Sequence, residues 1–165
     1  MRSPASPDSP TAAVTIGAEP SGSPAARWIF GQAEAELEAR YGFIADPETG
    51  RSTGDFEPPA GTFLVARAAG VVGGVGIRPQ APGIGEVKRL WVDPAWRGLG
   101  IARSLMEALE VAARSLGYEG LRLETGTGQP EAVALYAGAG WERQTEGWEG
   151  GPIREGSVHF AKGLS

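Results

Sequence analysis

The sequence predicts an α/β (α+β) fold in which helices flank one mixed central sheet. Three observations carry this. Short β-branched or alternating apolar runs recur along the chain, two longer segments show helical periodicity, and Gly and Pro clusters mark the junctions between them. At 165 residues the chain suits a single domain with a real hydrophobic core, placed at residues 11–165. Residues 1–10 are Ser, Pro, Ala and Asp for the most part, which cannot bury enough apolar surface to offset ordering entropy, and are expected to be a disordered tail.

Taken in order, residues 12–16 form a short first strand, stopped by the Gly, Pro and Ser cluster at 17–24. Ala33, Leu37 and Tyr41 recur at four-residue spacing among glutamates and predict a helix over 31–41 that ends at Gly42. Residues 46–60 contain Pro47, Gly50, Gly54, Pro58 and Pro59 and read as an exposed loop. Strands at 62–67 and 71–77, joined by the Gly-containing connection 68–70, form a hairpin. The glycine-rich run at 70–76 fits no nucleotide fingerprint and reads as strand where small residues permit close backbone approach. A strand at 85–92 follows the Pro82 and Gly83 turn. The clearest helix comes next, with Ile101, Leu105, Ala108, Leu109, Ala112 and Leu116 on one apolar face and Gly117 at its end. A strand at 121–124, a short helix at 131–137 opened by Pro130, and strands at 141–144 and 157–162 complete the alternation.

Composition narrows the chemistry. The chain has no cysteine and one histidine, His159, so it offers no thiolate nucleophile, no disulfide framework and no multi-histidine metal centre. No metal site is expected. His159, alone in the last strand, reads as a packing or surface residue. Net charge is −5 with the basic residues scattered, so no nucleic-acid footprint stands out. No apolar run approaches the roughly 18 residues that span a bilayer, and a cytoplasmic protein without membrane contact is expected.

The strand at 86–92 runs through Asp93, Pro94, Ala95 and Trp96 into Arg97, Gly98, Leu99, Gly100, Ile101 and Ala102 at the start of the long helix. This is an anion cradle: two glycines permit close backbone approach, the first helical N–H groups point outward, and Arg97 adds a cation. A dinucleotide fingerprint would need a glycine where Arg103 stands, and a P-loop would need a Gly-Lys-Ser/Thr that is absent. The run GEVKRLWVDPAWRGLGIARSLMEALEVAARSLG resembles the acyl-CoA-binding motif of the GNAT superfamily of N-acetyltransferases, with Arg97, Gly100 and Ala102 at its signature positions. The later run LRLETGTGQPEAVALYAGAGWER resembles that superfamily's next motif, with Tyr136 on the helix and Gly140 and Trp141 at its end. The likeness covers residues 85–143.

The resemblance implies a GNAT-like, mostly antiparallel central sheet and a soluble acetyl-CoA-dependent enzyme. It implies that Leu90, Trp91 and Val92 hold the pantetheine arm and that Arg97, Gly98, Leu99, Gly100, Ile101 and Ala102 hold the pyrophosphate. Tyr136 would protonate the leaving thiolate, with acetyl passing directly to a primary amine of a small molecule. A non-catalytic acyl-CoA sensor and a protein N-terminal or lysine acetyltransferase are the alternatives. An amine is mostly protonated at neutral pH, so a carboxylate base is needed; Glu86, at the start of the strand carrying the acyl group, is favoured over Glu124 on the neighbouring strand. Gln129 stands where many members have Asn. Relatives often dimerise through C-terminal strands, so residues 157–162 could supply a homodimer edge.

Overall fold

A computed structural model describes residues 13–42 and 56–165. The expected tail at 1–10 and residues 46–55 of the expected loop lie outside them. Ten elements follow one another as β1 (Thr15–Ala18), α1 (Pro24–Tyr41), β2 (Thr62–Arg67), β3 (Val71–Ala81), β4 (Ile84–Val92), α2 (Ile101–Ser115), β5 (Gly120–Gly126), α3 (Pro130–Gly138), β6 (Glu142–Arg143) and β7 (Ser157–Gly163), with a 3-10 turn at Pro94–Trp96. The seven strands form one sheet in the order β1-β2-β3-β4-β5-β7-β6. Every neighbouring pair is antiparallel except β4 and β5, which run parallel with α2 as their crossover.

The two faces of the sheet carry separate clusters. On one, α2 buries Ile101, Leu105, Met106 and Leu109 against Val75, Ile77, Val87, Leu121 and Leu123, and Tyr136 of α3 joins the same cluster. On the other, Ala26, Ile29 and Phe30 of α1 pack on Phe56, Phe63, Val65 and Trp91. The glycines of β3 make that contact close. A Cβ at Gly76 would lie 2.6 Å from the Phe56 ring, and one at Gly73 would lie 2.6 Å from the Trp91 carbonyl oxygen.

Several boundaries differ from expectation for local reasons. Helix α1 begins at Pro24, seven residues before the expected start, because Ser23 caps it by accepting from the Ala26 amide at 3.1 Å. Gly42 closes it with a φ of 72°, as expected. β1 lies at Thr15–Ala18 rather than 12–16, and β3 runs on to Ala81, carrying Pro79 beside a register shift. Phe56 corrects the expected exposure of the 46–60 loop at its end: it is 1% exposed, wedged between Phe30 and Phe63. β7 is not a bare edge, because β6 pairs with it at Ala161 and Phe160 and the Gln144 amide donates to the His159 carbonyl. No helix among the described residues is long and apolar enough to cross a membrane.

Candidate active site

The parallel ladder between β4 and β5 is short. Ile84, Gly85 and Glu86 pair with Gly120, Leu121 and Arg122, and no further pairs follow. Past that point the strands part, and a cleft of about 490 Å³ opens between them. Leu90, Trp91 and Val92 line it from β4, Arg97, Gly98, Gly100, Ile101 and Ala102 from the turn and the start of α2, and Tyr136 from α3. These are the sequence-derived site residues with two exceptions: Leu99 is half-exposed outside the lining, and Glu86 lies at the closed end of the split.

The β4 wall is bent by a bulge. Gly74 pairs with Trp91 and Gly76 with Lys88, so β4 spends one extra residue opposite Val75. Arg89 absorbs it with a φ of 61°, the one positive value at a non-glycine residue among those described. Its guanidinium is fastened over the Phe30 ring at 4.4 Å and reaches Glu34 at 3.5 Å. Sequence reading missed this, since arginine carries no preference for that conformation.

The turn that follows leaves backbone amides open. Asp93 accepts from the Ala95 amide at 2.9 Å, and Gly98 and Gly100 take φ values of 78° and 84°, where a side chain would be strained. Gly100 is the N-cap of α2 and brings no side chain to its first amides, which helix geometry leaves without acceptors. Arg97 and Arg103 add positive charge along the same lining. Free amides at a helix start beside cations fit a diphosphate group, and this chain therefore offers the donor set that an acyl-CoA substrate requires.

Arg97 is also a strut. Its Nε donates to the Val92 carbonyl at 2.8 Å, and both terminal nitrogens donate to Glu36 of α1 at 2.9 and 2.7 Å. The same carboxylate accepts from Trp91 Nε1 at 2.9 Å and from Arg40 at 3.1 Å. The Arg97 guanidinium, with lesser help from Arg40 and Trp91, holds the Glu36 carboxyl below the usual carboxylate range. Arg40 also pairs with Glu131 and donates to the Gly128 carbonyl, tying α1 to the start of α3. Across the cleft, Tyr136 packs on Trp141 and Phe160, and burial pushes its phenol well above the ordinary tyrosine value.

The two carboxylates weighed from sequence have different surroundings. Glu86 is fully engaged: Arg78 donates to one oxygen at 2.8 Å and Gln80 to the other at 3.0 Å. Glu124, beyond the last paired position, lines the cleft together with Thr125 and Gln129. Among the described residues, no group of three or more His, Asp or Glu is placed to hold a metal ion.

Comparison with known proteins agrees with this geometry. Residues 26–141 match the family model for the Acetyltransferase (GNAT) family. The chain is 34% identical over 126 residues to the uncharacterised N-acetyltransferase YjgM of Escherichia coli, spanning 72% of this chain and 75% of that protein. It is 45% identical over 82 residues to the IAA acetyltransferase of Azospirillum brasilense, spanning 48% of this chain but only 53% of that relative. Among solved structures, it superposes with a TM-score of 0.75 on a protein of Klebsiella pneumoniae assigned as an acyl-CoA N-acyltransferase, at 29% identity over 93% of this chain and 99% of that one. The PaiA N-acetyltransferase of Thermoplasma acidophilum, solved with coenzyme A, shares the fold at a TM-score of 0.68 and 15% identity, over 92% of this chain and 99% of that one.

Proposed function

The chain belongs to the GNAT family of N-acetyltransferases, and from that premise we propose that residues 11–165 act as one domain that moves an acetyl group from acetyl-CoA directly to a primary amine of a small molecule. The observation that carries this is the cleft itself, whose lining brings together a helix-start anion cradle and a buried tyrosine phenol. Acetyl-CoA supplies the activated thioester. Backbone groups of Leu90, Trp91 and Val92, re-aimed by the bulge at Arg89, hold the pantetheine arm, and the amides from Arg97 to Ala102 hold the pyrophosphate. Tyr136, whose phenol is protonated at neutral pH and lines the same cleft, gives its proton to the departing sulfur. With no cysteine in the chain, direct transfer rather than a thiol-borne acyl group is favoured.

This reading includes a cytoplasmic location and homodimerisation. The test is an acetyl-transfer assay that follows CoA release and the mass of the acetylated amine, run on the native protein and on Tyr136→Phe. The variant should lose roughly ten- to a hundredfold in kcat while binding acetyl-CoA as before. Unchanged turnover would remove Tyr136 from the acid role.

A further inference from the structure

We propose that the acceptor is an amino acid whose carboxylate is held by Arg122 of β5. The inference rests on the acetyl-transfer reading above and names the substrate class of that site.

Arg122 pairs with Glu86 in the last register of the β4–β5 ladder, so it stands where the split in the sheet begins. Strand alternation puts it on the same face as Glu124, about 6.6 Å further along β5. Leu123 between them faces α3, since it pairs with Phe160, whose ring lies 5.6 Å from that of Tyr136. Glu124 lines the cleft. Arg122 lines a neighbouring recess of about 400 Å³, together with Gln144, Thr145, Gly147, Trp148 and the exposed Glu146. Cleft and recess adjoin through His159, whose ring stacks on Trp148 at 4.7 Å and whose Nε2 lies 3.7 Å from Glu124.

Among the described residues, Arg122 differs from every other arginine. Arg40, Arg67, Arg78, Arg89, Arg97 and Arg154 each have a glutamate at ion-pair distance. Arg27, Arg103, Arg114 and Arg143 have none but are exposed, so water solvates them. Arg122 is half-buried and has no carboxylate at that distance either. A cation withdrawn from water without a counter-charge carries a cost that an anionic ligand removes. The side chain is also fixed in place: its guanidinium lies 4.9 Å over the Trp148 ring, and Nη1 donates to the Gln80 carbonyl oxygen at 3.4 Å. Gln80 is turned that way because its amide nitrogen donates to Glu86 at 3.0 Å, while Arg78 donates to the other Glu86 oxygen at 2.8 Å. Glu86 is therefore engaged by Arg78 and Gln80. A guanidinium set against an indole keeps N–H pairs at its edge, the geometry that binds a carboxylate through two hydrogen bonds.

The charge of the site favours a monoanion. One guanidinium matches one carboxylate, whereas a phosphate dianion would leave charge unanswered and meet Glu146 in the same recess. An amino acid fits both places, with its carboxylate on Arg122 and its amine at the split, where the acetyl group is delivered between β4 and β5. In this account Arg122 sets specificity and does not touch the reacting atoms, so it acts on the KM of the acceptor more than on kcat.

The test supplies the full chain with acetyl-CoA and the common L-amino acids other than cysteine. CoA release is followed with a thiol reagent, which the cysteine-free chain cannot itself consume. Each amino acid that turns over is compared with its carboxamide, phenylalanine with phenylalaninamide for example. The amide keeps the shape and loses the charge, and its amine is the less basic of the two, so a preference for the acid cannot come from a larger share of free amine. The native protein should prefer the acid by roughly ten- to a hundredfold in kcat/KM, carried by KM. In Arg122→Gln that ratio should fall to about one, and Arg122→Lys should keep part of it, with the rise in thermal midpoint on adding acetyl-CoA reporting that each variant is folded. Turnover of no amino acid by a protein whose midpoint rises with acetyl-CoA would overturn the assignment. So would a native preference for the amide, a result that needs no variant. A preference for the acid that survives in Arg122→Gln would remove Arg122 as its source. A native midpoint that does not respond to acetyl-CoA would instead contradict the donor reading itself.

Discussion

Burial of the Tyr136 phenol and pairing of the Glu36 carboxylate are opposite uses of environment by single residues. The first keeps a proton on, the second keeps one off. Because Glu36 has a depressed value in the folded chain, it adds stability above its ordinary unfolded value of 4.5 and loses that contribution as pH falls through its lower folded value. The thermal midpoint of the native protein should therefore exceed that of Glu36→Gln at about pH 7, and the gap should close as pH drops toward about 3. A gap independent of pH would mean that Glu36 is not held ionised by Arg97. At this scale the turn into α2 was legible, since Arg97, Gly98 and Gly100 act through residue type at fixed spacing within one strand, turn and helix. Glu36 was not, because a glutamate on the polar side of α1 gives no local sign of an arginine 61 residues away. The arrangement around Glu86 was equally hidden: Arg78 and Gln80 reach it across the β3–β4 pairing.

Among the elements, the β3–β4 pair decides the shape of the donor wall. Gly73 pairs with Val92, and a Cβ there would meet the backbone of Trp91 rather than a side chain able to turn aside. Gly73→Ala should cost about 1–3 kcal/mol in chemical denaturation and weaken acetyl-CoA binding, since the strands it forces apart carry Leu90, Trp91 and Val92. Stability and affinity both unchanged would show that this contact is not tight. The order and type of the elements were readable from period and punctuation. Their limits were less so: the Ser23 and Pro24 start of α1 was merged with the breaker cluster before it, and the burial of Phe56 depends on glycines at the opposite side of a sheet contact. The bulge at Arg89 comes from how β3 and β4 register against each other, a relation between strands that neither run of residues contains by itself.

For the molecule as a whole, function follows from a sheet that stays closed at one end and splits at the other. β4 and β5 share three pairs and then diverge, so the start of α2 and the tyrosine of α3 line one cleft. Around this cleft, Glu36 with Arg97 ties α1 to the turn before α2, and Arg40 with Glu131 ties α1 to α3. The cleft is thus formed in the folded chain, and a ligand that binds it must stabilise the fold by mass action. The most direct measurement is the thermal midpoint of the native protein across a titration of acetyl-CoA, with ATP and NAD in parallel. A saturable rise with acetyl-CoA that neither control reproduces is the predicted result, whereas no rise at about millimolar acetyl-CoA would contradict the assignment of the cleft as a donor site.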